Sequence, residues 1–277
     1  MTRRLEDMTI DLACCSWSFE ILPLRNAVRV AKAIGFDRID LGFAHVTAHS
    51  EPPDLDMLSV TKVVADEETE VSDLFALLPF ETNDVLEEHR AANLRAFEMF
   101  VRMAVECEAG GMTIKPGVPL SGETDDGWAA AVDALGEFVR RATAYGVALA
   151  VEPHVGSITE TPERALALTD AVDGLALTLD YSHFVSAGVP MENVPILFPR
   201  ARHVHLRQAR PGTVQTGARD GTISFPTVVR TMIASGYSGV FATEFQNSDW
   251  GGMNDIDVLS ETVRLIQSLG TVVTGDP

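Results

Sequence analysis

The sequence predicts an α/β protein built as one single-domain (β/α)8 TIM barrel over residues 1–277. Short β-type runs alternate with amphipathic helical stretches, and eight such βα units can be counted. Several of the runs are almost continuously apolar, as strands of a parallel sheet buried on both faces must be. A length of 277 residues suits one barrel, and no linker or low-complexity segment marks off a second domain. A doubly wound open sheet is the alternative, because periodicity does not reveal strand order.

The expected strands are Thr9–Ser16, Asp37–Gly42, Val71–Leu78, Met112–Lys115, Val147–Glu152, Leu175–Tyr181, His203–Arg207 and Gly239–Phe245. After the first comes LRNAVRVAKAIG, ending in Gly35 as a C-cap. The second is followed by DLDMLSVTKVVADEE, the weakest of the helical patterns. From Thr82 a long stretch keeps its apolar residues at helical spacing until Gly110-Gly111 stops it. The helix after the fourth strand, starting near Asp125, stops at Gly146. TPERALALTDAV opens with Thr161 as N-cap and Pro162 at the first helical position. SFPTVVRTMIASG and DIDVLSETVRLIQSLG close the series.

Composition excludes several functions. With 21 basic and 40 acidic residues the formal net charge is -19, which disfavours a nucleic-acid partner and an anionic membrane surface. Three cysteines, Cys14, Cys15 and Cys107, are too few and too odd in number for a disulfide framework. The N-terminus shows no signal-peptide pattern, and no apolar run approaches the roughly 20 residues that cross a bilayer. A cytoplasmic protein is expected, with a homo-oligomer left open. The acidic run from Ala65 to Glu70 reads as a solvated loop.

Catalytic groups of a barrel gather at the carboxyl ends of its strands. Here the fifth strand ends in Glu152 with His154 two residues on, and the sixth in Asp180 with His183 beyond. The seventh carries His203 and His205, of which one is expected to face the axis and the other a helix; the eighth ends in Glu244. Each has an ordinary explanation, such as an arginine partner for Glu152 or a helix N-cap role for Asp180. Their coincidence on successive strands is harder to dismiss. Carboxylates crowded at a dry barrel mouth repel and take up protons unless a cation neutralises them. The donor set suits one divalent metal ion, with manganese favoured and magnesium, cobalt or zinc as the other candidates. Lys115 and His45, after the fourth and second strands, are candidates to orient a substrate oxygen, and Trp17 to form an apolar wall.

The pieces VEPH, LTLDYSHF, RHVHLRQ and DGTISFPTVVRTMIASGYSGVFATEF together resemble the sugar phosphate isomerase/epimerase family. These are xylose isomerase-like TIM barrels that include ketose 3-epimerases, hydroxypyruvate isomerases and inosose dehydratases. The resemblance implies Glu152, Asp180, His205 and Glu244 as metal ligands and His183 as a substrate contact. It also implies a substrate-gripping arginine after the seventh strand, Arg207 or Arg210, in a region that carries five arginines from Arg200 to Arg219. Epimerases of the family commonly have an acid six residues after the first glutamate, where this chain has Ile158. The Glu-x-His pattern of Glu152 and His154 is instead like that of the dehydratase-like members. The expected reaction is therefore isomerisation or epimerisation of a sugar or keto-sugar. The proton next to the carbonyl would be taken by Glu152 or Glu244, through a metal-bound enediolate, with His154 assisting. The alternative is a lyase or dehydratase of a keto-sugar or cyclic polyol with His154 as base.

Overall fold

The computed structural model describes residues 2–5, 8–42, 45–46, 57–121, 127–248, 253 and 256–271. Nine strands form one sheet: β1 (Thr2–Leu5), β2 (Met8–Cys15), β3 (Arg38–Gly42), β4 (Glu70–Phe75), β5 (Met112–Ile114), β6 (Leu149–Val151), β7 (Ala176–Asp180), β8 (Ala201–Leu206) and β9 (Val240–Thr243). Neighbours in sequence are neighbours in the sheet, and β2 also pairs with β9 from Asp11↔Val240 to Cys14↔Thr243. That pairing closes eight parallel strands, β2 to β9, into a barrel and excludes the open sheet. The antiparallel β1 is additional; its polar sequence TRRL carries no apolar signal.

Among the described residues eight α-helices accompany the strands: α1 (Leu24–Ile34), α2 (Met57–Asp66), α3 (Glu87–Glu106), α4 (Trp128–Ala144), α5 (Pro162–Ala171), α6 (Tyr181–Ser186), α7 (Phe225–Ala234) and α8 (Val258–Thr271). Gly35 closes α1 at φ 110°, a left-handed conformation that favours glycine, and its N–H reaches the carbonyls of Ala31 and Lys32. Thr161 caps α5 by accepting from the Arg164 N–H at 3.3 Å. Between β7 and β8 the connection is α6 followed by a 3-10 segment, Met191–Arg200, with Pro195 and Pro199 inside it. No helix among the described residues is long and apolar enough to cross a membrane.

Strand alternation sorts side chains into two compartments. Leu12, Leu41, Leu74, Val151, Leu179, Val204 and Leu206 face outward and pack with the helices in the main core. Ala13, Cys15, Phe75 and Ala242 form a smaller apolar cluster with Trp17 inside the barrel. Trp17 fits because position 42 is glycine: a Cβ there would lie 2.7 Å from Trp17 Cζ3. The remaining interior is polar. Asp73, Thr113, Thr178 and Arg202 are linked there, with Arg202 Nη2 2.6 Å from Asp73 Oδ1, Thr113 Oγ1 donating to Asp73 Oδ2, and the Thr113 and Thr178 hydroxyls 2.7 Å apart.

Candidate metal centre

Glu152 and Glu244 stand just past β6 and β9, each fixed by its own backbone. Glu152 N–H donates to Ile114 O at 3.1 Å and Glu244 N–H to Leu206 O at 3.0 Å. His205, inside β8, lies between their side chains. Its Nδ1 is 2.6 Å from Glu152 Oε1 and 3.4 Å from Glu244 Oε2. One donor atom from each of the three residues lies within 4.8 Å of the others, and all three residues are buried. Glu244 Oε1 accepts from Trp17 Nε1 at 3.1 Å, whereas Glu244 Oε2 is buried with no hydrogen-bond donor.

Asp180 is held one side chain away. It is the N-cap of α6: Oδ1 accepts from Ser182 N–H at 2.8 Å and Oδ2 from Ser182 Oγ at 2.6 Å. Arg207, 1% exposed, donates through Nη2 to Asp180 Oδ2 at 2.5 Å and lies 3.4 Å from Glu244 Oε2. Three of the four expected ligands thus converge directly, and the fourth joins them through Arg207. His183 is buried in the same corner, its Nε2 3.3 Å from Arg207 Nη2, while its Nδ1 accepts from Val155 N–H at 3.3 Å. His154 Nδ1 donates to the carbonyl of Glu152 at 2.7 Å, which turns its Nε2 toward Glu152 Oε2 at 3.0 Å. Glu152, His154 and His183 form a second donor trio that shares Glu152 with the first.

His203 corrects the expectation that the two histidines of β8 face opposite ways. Residues two apart on a strand share a face, and both rings point into the barrel, centroids 5.3 Å apart. The other candidates lie further out. His45 Nε2 donates to the carbonyl of Leu22 at 2.9 Å, tying together the segments that follow β2 and β3. Lys115 is exposed, and its carbonyl accepts from Thr82 Oγ1 at 2.6 Å. Arg210 is exposed on the turn it forms with Thr213, beside Arg219 and Arg264.

Charge at this mouth is strongly organised. Burial opposes ionisation of Glu152, yet His205 and His154 beside it hold its carboxyl well below the usual range. Burial also opposes a charged His205, but Glu244 and Glu152 hold its imidazole well above the ordinary value. His183 is pushed down to about 3 by burial, aided by His154 and Arg207 against the pull of Asp180. A divalent cation fits this set. Two carboxylates and an imidazole converge, and one carboxylate oxygen, Glu244 Oε2, lacks a donor in a place without water-exposed surface. A cation held there would take the place of the proton between His205 Nδ1 and Glu152 Oε1.

Asp40 was not among the residues picked out from the sequence, although a signal for it exists. In RIDLG it is a lone carboxylate between Ile39 and Leu41, on the inward-facing register of an apolar strand. The apolar flank of the site is Trp17 and Phe75, whose rings meet edge-on at 5.8 Å and both approach His205.

Comparison with known proteins agrees with this architecture. Residues 28–269 match the family model described as a xylose isomerase-like TIM barrel. The rhizopine catabolism protein MocC of Rhizobium meliloti is 30% identical over 138 residues, which is 42% of this chain and 42% of that protein. The match therefore spans less than half of that relative. A solved L-ribulose 3-epimerase superposes with a TM-score of 0.76 at 16% identity, covering 95% of each chain. The IOLI protein, solved with a binding zinc atom, gives 0.74 at 18% identity over 96% of this chain and 98% of its own. At such identities both structures establish the shared barrel.

Proposed function

From a chain that belongs to the xylose isomerase-like TIM barrel family, we propose a divalent-metal-dependent isomerase or epimerase of a sugar or keto-sugar. The observation that carries this reading is the convergence of Glu152, His205 and Glu244, with Glu244 Oε2 buried and undonated. A structural neighbour, an L-ribulose 3-epimerase, supports the substrate class. We also propose that residues 1–277 act as one cytoplasmic domain with manganese as the working ion and no nucleic-acid or membrane partner.

Glu152, His205 and Glu244 would hold the cation, with Asp180 beside them. When bound, such an ion supplies a Lewis acid that stabilises negative charge developing on a substrate oxygen, worth several kcal/mol. The residues do the rest. Glu152 follows β6 and Glu244 follows β9, three strands on around the barrel, so one carboxylate can take the proton next to the carbonyl and the other return it. His154 Nε2, at 3.0 Å from Glu152 Oε2, is within reach to pass that proton outward. Arg207 and His183 are placed to orient substrate oxygens on the polar side, and Trp17 with Phe75 keeps the opposite side dry.

The same contact between His154 and Glu152 favours the second reading, a lyase in which His154 is the base and a β-leaving group departs. Both readings are tested by incubating the manganese-loaded protein with keto-sugars in heavy water. Epimerase or isomerase action washes deuterium into the carbon beside the carbonyl. Glu152→Gln and Glu244→Gln are each expected to slow that exchange by about 100-fold or more. An ultraviolet-absorbing unsaturated product without exchange supports the lyase; neither signal from any keto-sugar contradicts both.

A further inference from the structure

Below the trio the barrel holds a layer that the proposed chemistry does not use. Asp40 sits inside β3, fully buried, at a register irregularity between Ile39 and Asp40. Its Oδ1 accepts from Ser72 Oγ at 2.5 Å, and its Oδ2 accepts from His203 Nε2 at 2.7 Å. The same Oδ2 lies 3.3 Å from His205 Nε2, with Cys15 Sγ 3.7 Å away. Ser72 and His203 therefore fix the carboxylate from two elements, β4 and β8, and leave one of its oxygens facing His205.

That contact bears on which nitrogen of His205 can serve a cation. A neutral imidazole has one proton for two nitrogens, and only the nitrogen without it offers a lone pair. Two carboxylates compete for the proton here: Glu152 Oε1 at Nδ1 and Asp40 Oδ2 at Nε2. Asp40 Oδ2 stands beside Nε2 and gives that nitrogen an acceptor when a cation takes Nδ1, the nitrogen that faces Glu152 and Glu244. Carboxylate partners of this kind commonly set ring orientation and tautomer at metal sites.

We propose that Asp40 is a positioning residue, held by Ser72 and His203, that keeps His205 Nδ1 free to bind a cation between Glu152 and Glu244. The proposal rests on the cation site described above. It is tested by titrating cobalt(II) into the full-length protein, with affinity read by chelator competition and geometry by the visible absorption band. Thermal unfolding without metal is followed in parallel.

Asp40→Asn is expected to bind cobalt about 10- to 100-fold more weakly than wild type, with a shifted band. Ser72→Ala and His203→Gln weaken binding less, because each loosens Asp40 without removing its charge. Asp40→Glu, which returns the charge, recovers part of the affinity. A folded Asp40→Asn with wild-type affinity and spectrum overturns the proposal. Should Asp40→Asn not fold, unchanged affinity in both Ser72→Ala and His203→Gln overturns it. Wild-type protein that takes up no cobalt overturns the cation site itself, which distinguishes that failure from this one.

Discussion

His183 shows how far one side chain's surroundings decide its chemistry. Buried beside Arg207 and His154, it is held neutral, with its pKa down at about 3 against about 6.5 in an unfolded chain. A histidine depressed in the folded state contributes stability above its unfolded pKa, and that contribution is lost as pH falls from about 6.5 toward 3. One proton taken up preferentially by the unfolded chain gives a slope of about 1.4 kcal/mol per pH unit. In chelator-treated protein, urea unfolding of wild type is therefore expected to weaken with acid more steeply than that of His183→Asn. Parallel curves between pH 6.5 and 4 would contradict it. Part of this corner was legible in the sequence: Glu152 and Glu244 stood out at strand ends, the family resemblance singled out His205, and the structure brings the three together. Their company was not legible. Asp180 is engaged by Ser182 and Arg207, and Asp40 contacts His203 and His205 across 163 and 165 positions of chain. Pairings across such separations follow from barrel closure, which a linear pattern does not display. The outward placement expected for one β8 histidine failed for a simpler reason, since the two-residue period puts both on one face.

Elements were read best where a local rule and the tertiary role agree. The start of α5 was legible because Thr161 and Pro162 form a cap by local chemistry alone, and its core face, Ala165, Leu168 and Thr169, is buried. Thr161→Ala removes the acceptor for Arg164 N–H and is expected to cost about 1 kcal/mol, measured as a lower urea midpoint at unchanged slope. A midpoint within error of wild type would show that Pro162 and packing hold the helix start without the hydroxyl. The connection from β7 to β8 was not legible as a helix. Pro195 and Pro199 remove backbone donors, and the chain answers with 3-10 turns that leave no 3.6-residue period to find. The sixth strand ends one residue earlier than expected, because the Asp180 side chain turns back to cap α6.

At the scale of the whole molecule, alternation along eight strands partitions the chain into an outer core and an inner column. The outer core carries the packing against the helices. The inner column is polar, with the pairs Asp73–Arg202 and Asp40–His203 inside it and Glu152, His205 and Glu244 at the mouth. Buried charges of this kind contribute little net stability, because desolvation offsets most of their attraction. Their placement on the barrel axis is what a cation site requires. The most direct test is elemental analysis of purified protein after equilibration with excess manganese and removal of free ion, alongside Glu152→Gln and Glu244→Gln. The account predicts one ion per wild-type chain, an unfolding temperature that rises with manganese and falls back with chelator, and loss of both in each variant. A wild-type chain with no retained ion and no thermal response, or variants that keep the ion, would contradict it.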